Sequence, residues 1–280
     1  MAVSSEVIAS LKGDLALEHA AIMQYIIHGA MLRDVAITDP VRKIAREEMW
    51  HFEWLTEAIR DRGGEQALDR SEVILPPSMA EGMREDVAAE NRALSHYAKT
   101  LELVGESDVE LTHLIERIVD DERHHRATFE RLASEVRTGG EQAYAAHPIM
   151  GPEDMAVVGP TIGIEYSTLL QYLWNKYGCG DCDQGEQYFE FAVDEMRHLT
   201  WVASYAAGLV DPVPPDVPSE RVRSVHSTAE AHEAAGQVEE QAAAFYSEKI
   251  GEAKSDALRD DLTRALGQHE FHRHKLEQMD

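Results

Sequence analysis

Basic residues are in short supply. The 280-residue chain sets 26 Lys and Arg against 52 Asp and Glu, a formal net charge of −26, which argues against a nucleic-acid or anionic-membrane partner because either polyanion would be repelled. Cysteine is scarcer still. Only Cys179 and Cys182 occur, and a single C-x-x-C lacks the second pair that a zinc-ribbon or rubredoxin-like site needs. Its setting, Cys179-Gly180-Asp181-Cys182, offers no βαβ context for a thioredoxin motif, so an incidental loop pair is expected, with a redox or intersubunit metal role as the alternative. No stretch approaches the roughly 18 apolar residues of a membrane span. The opening Met1-Ala2-Val3-Ser4-Ser5-Glu6 lacks the basic and apolar regions of a secretory leader, and a cytoplasmic location is the expectation. At this length one hydrophobic core is unusual, which leads us to expect two domains.

What the chain does have is a pattern of acids and histidines on apolar helical stripes. Glu48/His51 and Glu122/His125 are each three residues apart, a spacing that puts both side chains on one helix face. Around the second pair the stripe reads Leu111, Ile115, Ile118, Glu122, His125, Phe129, Leu132; around the first it reads Val41, Ile44, Glu48, His51, Leu55. Both step by threes and fours, so the polar residues take core positions. Glu18 lies between Leu15 and Ile22, and Glu90 between Val87 and Leu94, in the same manner. Four carboxylates and two imidazoles are therefore expected inside one bundle. Without counter-charge each buried carboxylate costs on the order of several kcal/mol or takes up a proton. Two divalent cations cancel four carboxylates, and a mixed oxygen and nitrogen ligand set suits iron or manganese better than structural zinc.

In order and type, Glu18, Glu48/His51, Glu90 and Glu122/His125 resemble the di-iron site of the ferritin-like superfamily. Leu17-Glu18-His19-Ala20-Ala21-Ile22-Met23-Gln24-Tyr25 and Glu47-Glu48-Met49-Trp50-His51 are most similar to bacterioferritins and rubrerythrins. The resemblance implies two irons, with Glu18 and Glu90 terminal, Glu48 and Glu122 bridging and one His on each iron. It also places Met49 and Met196 where bacterioferritins carry a haem-ligating methionine. Methionine is more often a core filler, and haem is not expected. Tyr25, Tyr97, Tyr166 and Tyr246 are read as core packing near the ligand residues, and His19, His28 and His124 as surface or rim histidines.

The helical pattern gives four helices over about 5–33, 40–62, 78–105 and 108–137, joined short, long, short, which is the connectivity of such a bundle. Residues 138–160, rich in Gly and Pro, read as a linker. The pattern then returns over 161–280. Adding 147 to Glu18, Glu48 and His51 gives Glu165, Glu195 and His198; an offset of 149 aligns Ser78 with Ser227 and Glu90 with Glu239; and matching Ser107-Asp108 to Ser255-Asp256 at 148 puts Glu270 on Glu122 and Arg273 on His125. The expected fold is all-α, two tandem ferritin-like four-helix bundles packed as a pseudo-dimer. Residues 1–137 hold the complete site. The second site consists of Glu165, Glu195, His198, Glu239 and Glu270, and because arginine cannot ligate a metal it is expected to hold no metal or one rather than two.

One complete and one altered site favour a di-iron oxidase or oxygenase that uses dioxygen or peroxide on a small molecule. The alternatives are ferroxidase and iron storage of the bacterioferritin type, with ferrous iron as substrate, and a non-catalytic metal-binding pseudo-dimer. Substrate and electron donor are not legible, and a homodimer is left open.

Overall fold

The computed structural model describes residues 4–32, 35–75, 78–138, 150–206 and 221–279. Eight helices account for most of them: α1 (Ser5–Met31), α2 (Val35–Asp61), α3 (Met79–Val104), α4 (Val109–Thr138), α5 (Pro152–Gly178), α6 (Cys182–Ala203), α7 (Thr228–Glu252) and α8 (Asp256–Leu276). No β-strand forms among the described residues, and no helix is long and apolar enough to cross a membrane. The chain divides into two compact units, Met1–Ala145 and Ala146–Asp280. In the first, α1 packs along α2 and α3, and α4 along α3 and α2; in the second, α5 packs along α6 and α7, and α8 along α7 and α6.

Local chemistry fixes the helix ends. The Ser78 hydroxyl accepts from Glu81 N at 3.3 Å and donates to the Glu81 carboxylate at 2.8 Å, a side-chain N-cap that opens α3. The Ser227 hydroxyl likewise accepts from Glu230 N at the start of α7. Gly63, with φ 77°, and Gly105, with φ 56°, follow α2 and α3, where left-handed backbone ends a helix at low cost only in glycine. Two boundaries differ from those read in the sequence. Helix α2 starts at Val35 with Pro40 inside it, and α5 starts at Pro152 with Pro160 inside it. Each proline costs one intrahelical hydrogen bond near the helix start and does not end the helix. The C-terminal part of the expected 138–160 linker is therefore helical, and its residues 139–149 lie outside the described residues, as do residues 210–220 of the second crossover.

Each long crossover is tied to the first helix of its unit by a buried glutamine. Ile74 N donates to Gln24 Oε1 at 3.2 Å and Arg223 N to Gln171 Oε1 at 2.7 Å. At the end of α5 a Cβ on Gly178 would stand 2.2 Å from the Val225 carbonyl oxygen, so only glycine lets the second crossover pass. These contacts hold the crossovers beside the polar cores.

Candidate metal centres

In the first unit, Glu18 comes from α1, Glu48 and His51 from α2, Glu90 from α3 and Glu122 and His125 from α4. All six are at most 1% exposed. Their ligand atoms form two groups, each within 4.8 Å: Glu18, Glu48, His51 and Glu122, and then Glu48, Glu90, Glu122 and His125. Glu48 and Glu122 belong to both. His51 Nδ1 lies 2.9 Å from Glu48 Oε2, 2.9 Å from Glu122 Oε1 and 3.5 Å from Glu18 Oε2. His125 Nδ1 lies 3.0 Å from Glu48 Oε1.

Residues that the sequence reading passed over orient this set. The far ring nitrogens face carboxylates: His51 Nε2 is 3.5 Å from Asp121 and His125 Nε2 is 3.2 Å from Glu47. Such partners fix ring orientation and leave Nδ1 facing inward. Tyr25 donates to Glu90 at 2.5 Å, and Tyr97 donates to Glu18, so these two tyrosines do more than fill the core.

The electrostatics call for cations. Burial, and then the charge of Glu18, pushes the Glu48 carboxyl well above its usual range. Burial and Glu122 do the same to Glu90, and burial with Glu48 and Glu18 raises Glu122 to about 8. Burial opposes the ionisation of Glu18 as well, but its contacts with His51 outweigh this and hold it low. Burial also opposes protonation of His51, yet Asp121 and Glu122 raise it well above the normal imidazole range. Glu90 Oε2 has no hydrogen bond, and Glu48 Oε1 and Glu122 Oε1 lie beside His125 Nδ1 and His51 Nδ1 without hydrogen-bond geometry. Buried polar atoms left in this way cost about 1–3 kcal/mol each. The donor set, its charge and these unpaired atoms fit two divalent ions, one per ligand group. A cavity of about 270 Å3 reaches the cluster at Glu18, Glu90 and Glu122; its walls include Leu17, Ala20, Ala21, Ile74, Ala89 and Ala93, with Glu72 and Arg92 at the exposed end.

The second unit repeats the arrangement in a different register from the one expected. Glu165, Glu195, His198 and Glu239 are all fully buried and come together, but their partners on α8 are His269 and His272. Glu270 and Arg273 are exposed and lie outside the cluster. The stripe Leu258, Leu262, Ala265, His269, His272, Leu276 is the buried one, and it matches Leu111 to Phe129 at an offset of 147, not 148. The cap explains the slip: Asp108 accepts from Leu111 N at the start of α4, whereas α8 has Ser255 as N-cap. Serine and aspartate cap equally well, so the Ser-Asp dipeptides look equivalent although different members of each occupy the cap. The expectation of an arginine-spoiled site therefore falls.

His198 Nδ1 is 3.1 Å from Glu165 and 2.9 Å from Glu195. His269 reaches Glu165 with Nε2 at 3.1 Å and Glu239 with Nδ1 at 2.8 Å. His272 Nδ1 is 3.1 Å from Glu239, and its Nε2 is 3.2 Å from Asp194, the counterpart of Glu47. Tyr246 donates to Glu165 and Tyr172 to Glu239; Tyr172, not Tyr166, is the counterpart of Tyr25. Three imidazoles among three carboxylates reverse the electrostatics of the first cluster. Burial opposes every charge here, but His198 and His269 hold Glu165 well below the usual range, His269 and His272 hold Glu239 at about 2, and Glu195 and Glu239 raise His272 to about 9.

Two histidines expected at the surface or rim are buried instead, while His124 and Met49 lie as expected. His28 is fully buried with Nδ1 2.5 Å from Asp86, which also accepts from Gln24, and His19 is buried edge-on to Phe52. His124 is exposed. Met49 is completely buried. Cys179 and Cys182 carry free thiols at the junction of α5 and α6.

The model of the ferritin-like domain family matches residues 8–138. A bacterioferritin from Desulfovibrio desulfuricans is 27% identical over 142 residues, 49% of this chain and 79% of that protein. Among solved structures, that bacterioferritin, described with its diiron site in different catalytic states, is similar at 27% identity over 49% of this chain and 82% of the other, with a TM-score of 0.46. The Rhodobacter capsulatus bacterioferritin, with a metal-free dinuclear site and haem iron, is 25% identical over 53% and 98%, with a TM-score of 0.48. The first bundle matches the ferritin-like domain family, and over that half of its length the chain is similar to bacterioferritin.

Proposed function

We propose that the first bundle is a ferroxidase-type di-iron centre that oxidises ferrous iron with dioxygen or peroxide. The observation that carries this reading is the pair of overlapping ligand groups, with Glu48 and Glu122 common to both, in a domain similar in sequence to bacterioferritin. Two ferrous ions held there would each give up one electron to dioxygen or peroxide, with two protons completing the peroxide or water formed. The protein's part is to position ligands and move charge. Glu18 and His51 complete one group and Glu90 and His125 the other; Asp121 and Glu47 hold the two rings in place; and the Tyr25 and Tyr97 hydroxyls bind the terminal carboxylates. The protons that Glu48, Glu90 and Glu122 carry without metal leave as cations bind.

Oxidation of a small molecule is a second reading, favoured by a cavity that reaches Glu18, Glu90 and Glu122 and whose walls include Leu17, Ala20, Ala21, Ile74, Ala89 and Ala93. Stopped-flow oxidation of ferrous iron added to metal-free protein separates the two. The ferroxidase reading expects a fast phase that consumes about two ferrous ions per chain, one for each ligand group. Oxidation no faster than in buffer alone would overturn it. Gel filtration adds whether the 31.3 kDa chain forms a storage cage of much larger mass.

A further inference from the structure

We infer that the second bundle is a two-metal site of a different kind, in which His269 takes the place of a bridging carboxylate and joins two divalent cations through its two ring nitrogens. The inference stands on residues of the second bundle alone and holds whether or not the first is a ferroxidase. As in the first unit, two ligand groups overlap: Glu165, Glu195, His198 and His269, and then Glu195, Glu239, His269 and His272. The shared members are Glu195 and His269. The ring of His269 is oriented to serve both groups, with Nε2 toward Glu165 and Nδ1 toward Glu239. His272 is held from outside by Asp194, which aims its Nδ1 inward. Glu195 Oε1 is fully buried at the centre of the cluster, with His272 Nδ1 3.3 Å away but not in hydrogen-bond geometry.

The charge balance closes. When His269 bridges, both of its ring N–H protons, the one facing Glu239 and the one facing Glu165, are released to solvent and the ring becomes an imidazolate. Three carboxylates and one imidazolate carry four negative charges, which two divalent cations cancel, the same balance as in the first bundle. The chemistry differs in two ways. Three imidazoles and three carboxylates, against two and four in the first site, shift preference toward nitrogen-seeking ions such as zinc or cobalt. The geometry of the bridge changes as well. The lone pairs of a bridging carboxylate can point nearly parallel, whereas those of an imidazole ring diverge, so the two ions stand farther apart and are poorly placed to share one oxygen atom. The second bundle binds metal without duplicating the chemistry of the first.

Zinc alone is the probe. Metal-free protein is titrated with zinc and the bound ions are counted for the wild type, His269→Ala, His269→Glu and Glu270→Ala. The wild type and Glu270→Ala should bind about four ions per chain, His269→Ala no more than about three, and His269→Glu, which restores a carboxylate bridge, about four again. A wild type limited to two or three ions, or a His269→Ala protein that still binds four, overturns the inference. Should His269→Ala fail to fold, anomalous scattering at the zinc edge from wild-type crystals decides: one peak at each ring nitrogen of His269 supports the bridge, and a single peak or none refutes it.

Discussion

Glu48→Gln is expected to abolish the fast phase of ferrous-iron oxidation and at the same time raise the melting temperature of the metal-free protein. Glu48 belongs to both ligand groups, with Oε2 2.9 Å from His51 and Oε1 3.0 Å from His125. An amide cannot supply the negative charge on which both ions depend. Loss of partners that merely orient ligands costs 10–100-fold, so loss of this shared ligand should cost at least about 100-fold. The stability change has the opposite sign. Without metal the Glu48 carboxyl is pushed well above its ordinary range by burial and by Glu18, and the energy spent keeping it in the core is recovered when a neutral side chain of the same shape replaces it, on the order of 2 kcal/mol. Stopped-flow kinetics and thermal melts of chelated protein check both parts. A retained fast phase, or a lower melting temperature without metal, would contradict the assignment.

The second large effect is on pH dependence. Metal-free protein should lose stability as pH rises from about 5 to about 9, by an amount on the order of a few kcal/mol. In the first bundle Glu122 titrates at about 8 when folded against about 4.3 in an unfolded chain. Between these values the folded state binds the extra proton, and the stability it confers is lost as pH rises through the folded value. In the second bundle His272 titrates at about 9 against about 6.5 unfolded, so its contribution is complete below the unfolded value and is also lost on the way up. Glu239, held at about 2, contributes above its unfolded value and is lost only as pH falls through about 2, outside this window. With divalent metal present the trend should reverse, because cations replace the protons and bind better as pH rises. Denaturant melts across this range, with and without metal, test the sign. A metal-free protein that gains stability toward pH 9 would show that the clusters are not proton-loaded.

The ligands that follow a stripe were legible in the sequence. Glu18, Glu48, His51, Glu90, Glu122 and His125 each continue an apolar run in steps of three and four, and the structure brings all six together. Glu165, Glu195 and His198 were recoverable through their constant offset. The last helix was misread because a Ser-Asp dipeptide was allowed to set the register in place of the longer stripe. Asp108 and Ser255 hold the same N-cap position, though only Asp108 makes a side-chain cap bond, while Leu258, Leu262 and Ala265 carried the correct phase. Glu47, Asp121 and Asp194 could not be singled out, since each sits one residue before a ligand in a run of acidic residues and acts only through a ring on a neighbouring helix. The buried pair His28 and Asp86 was missed for a related reason: α1 is buried on nearly every side along its C-terminal half, so no stripe marks which face is inside.

The most direct test of the account is an anomalous difference map at the iron edge from crystals of the iron-loaded protein. In the first bundle it should show two peaks flanked by Glu48 and Glu122, one on the side of Glu18 and His51 and the other on the side of Glu90 and His125. A map with one peak or none among these six residues, or with iron confined to the second bundle, would contradict it.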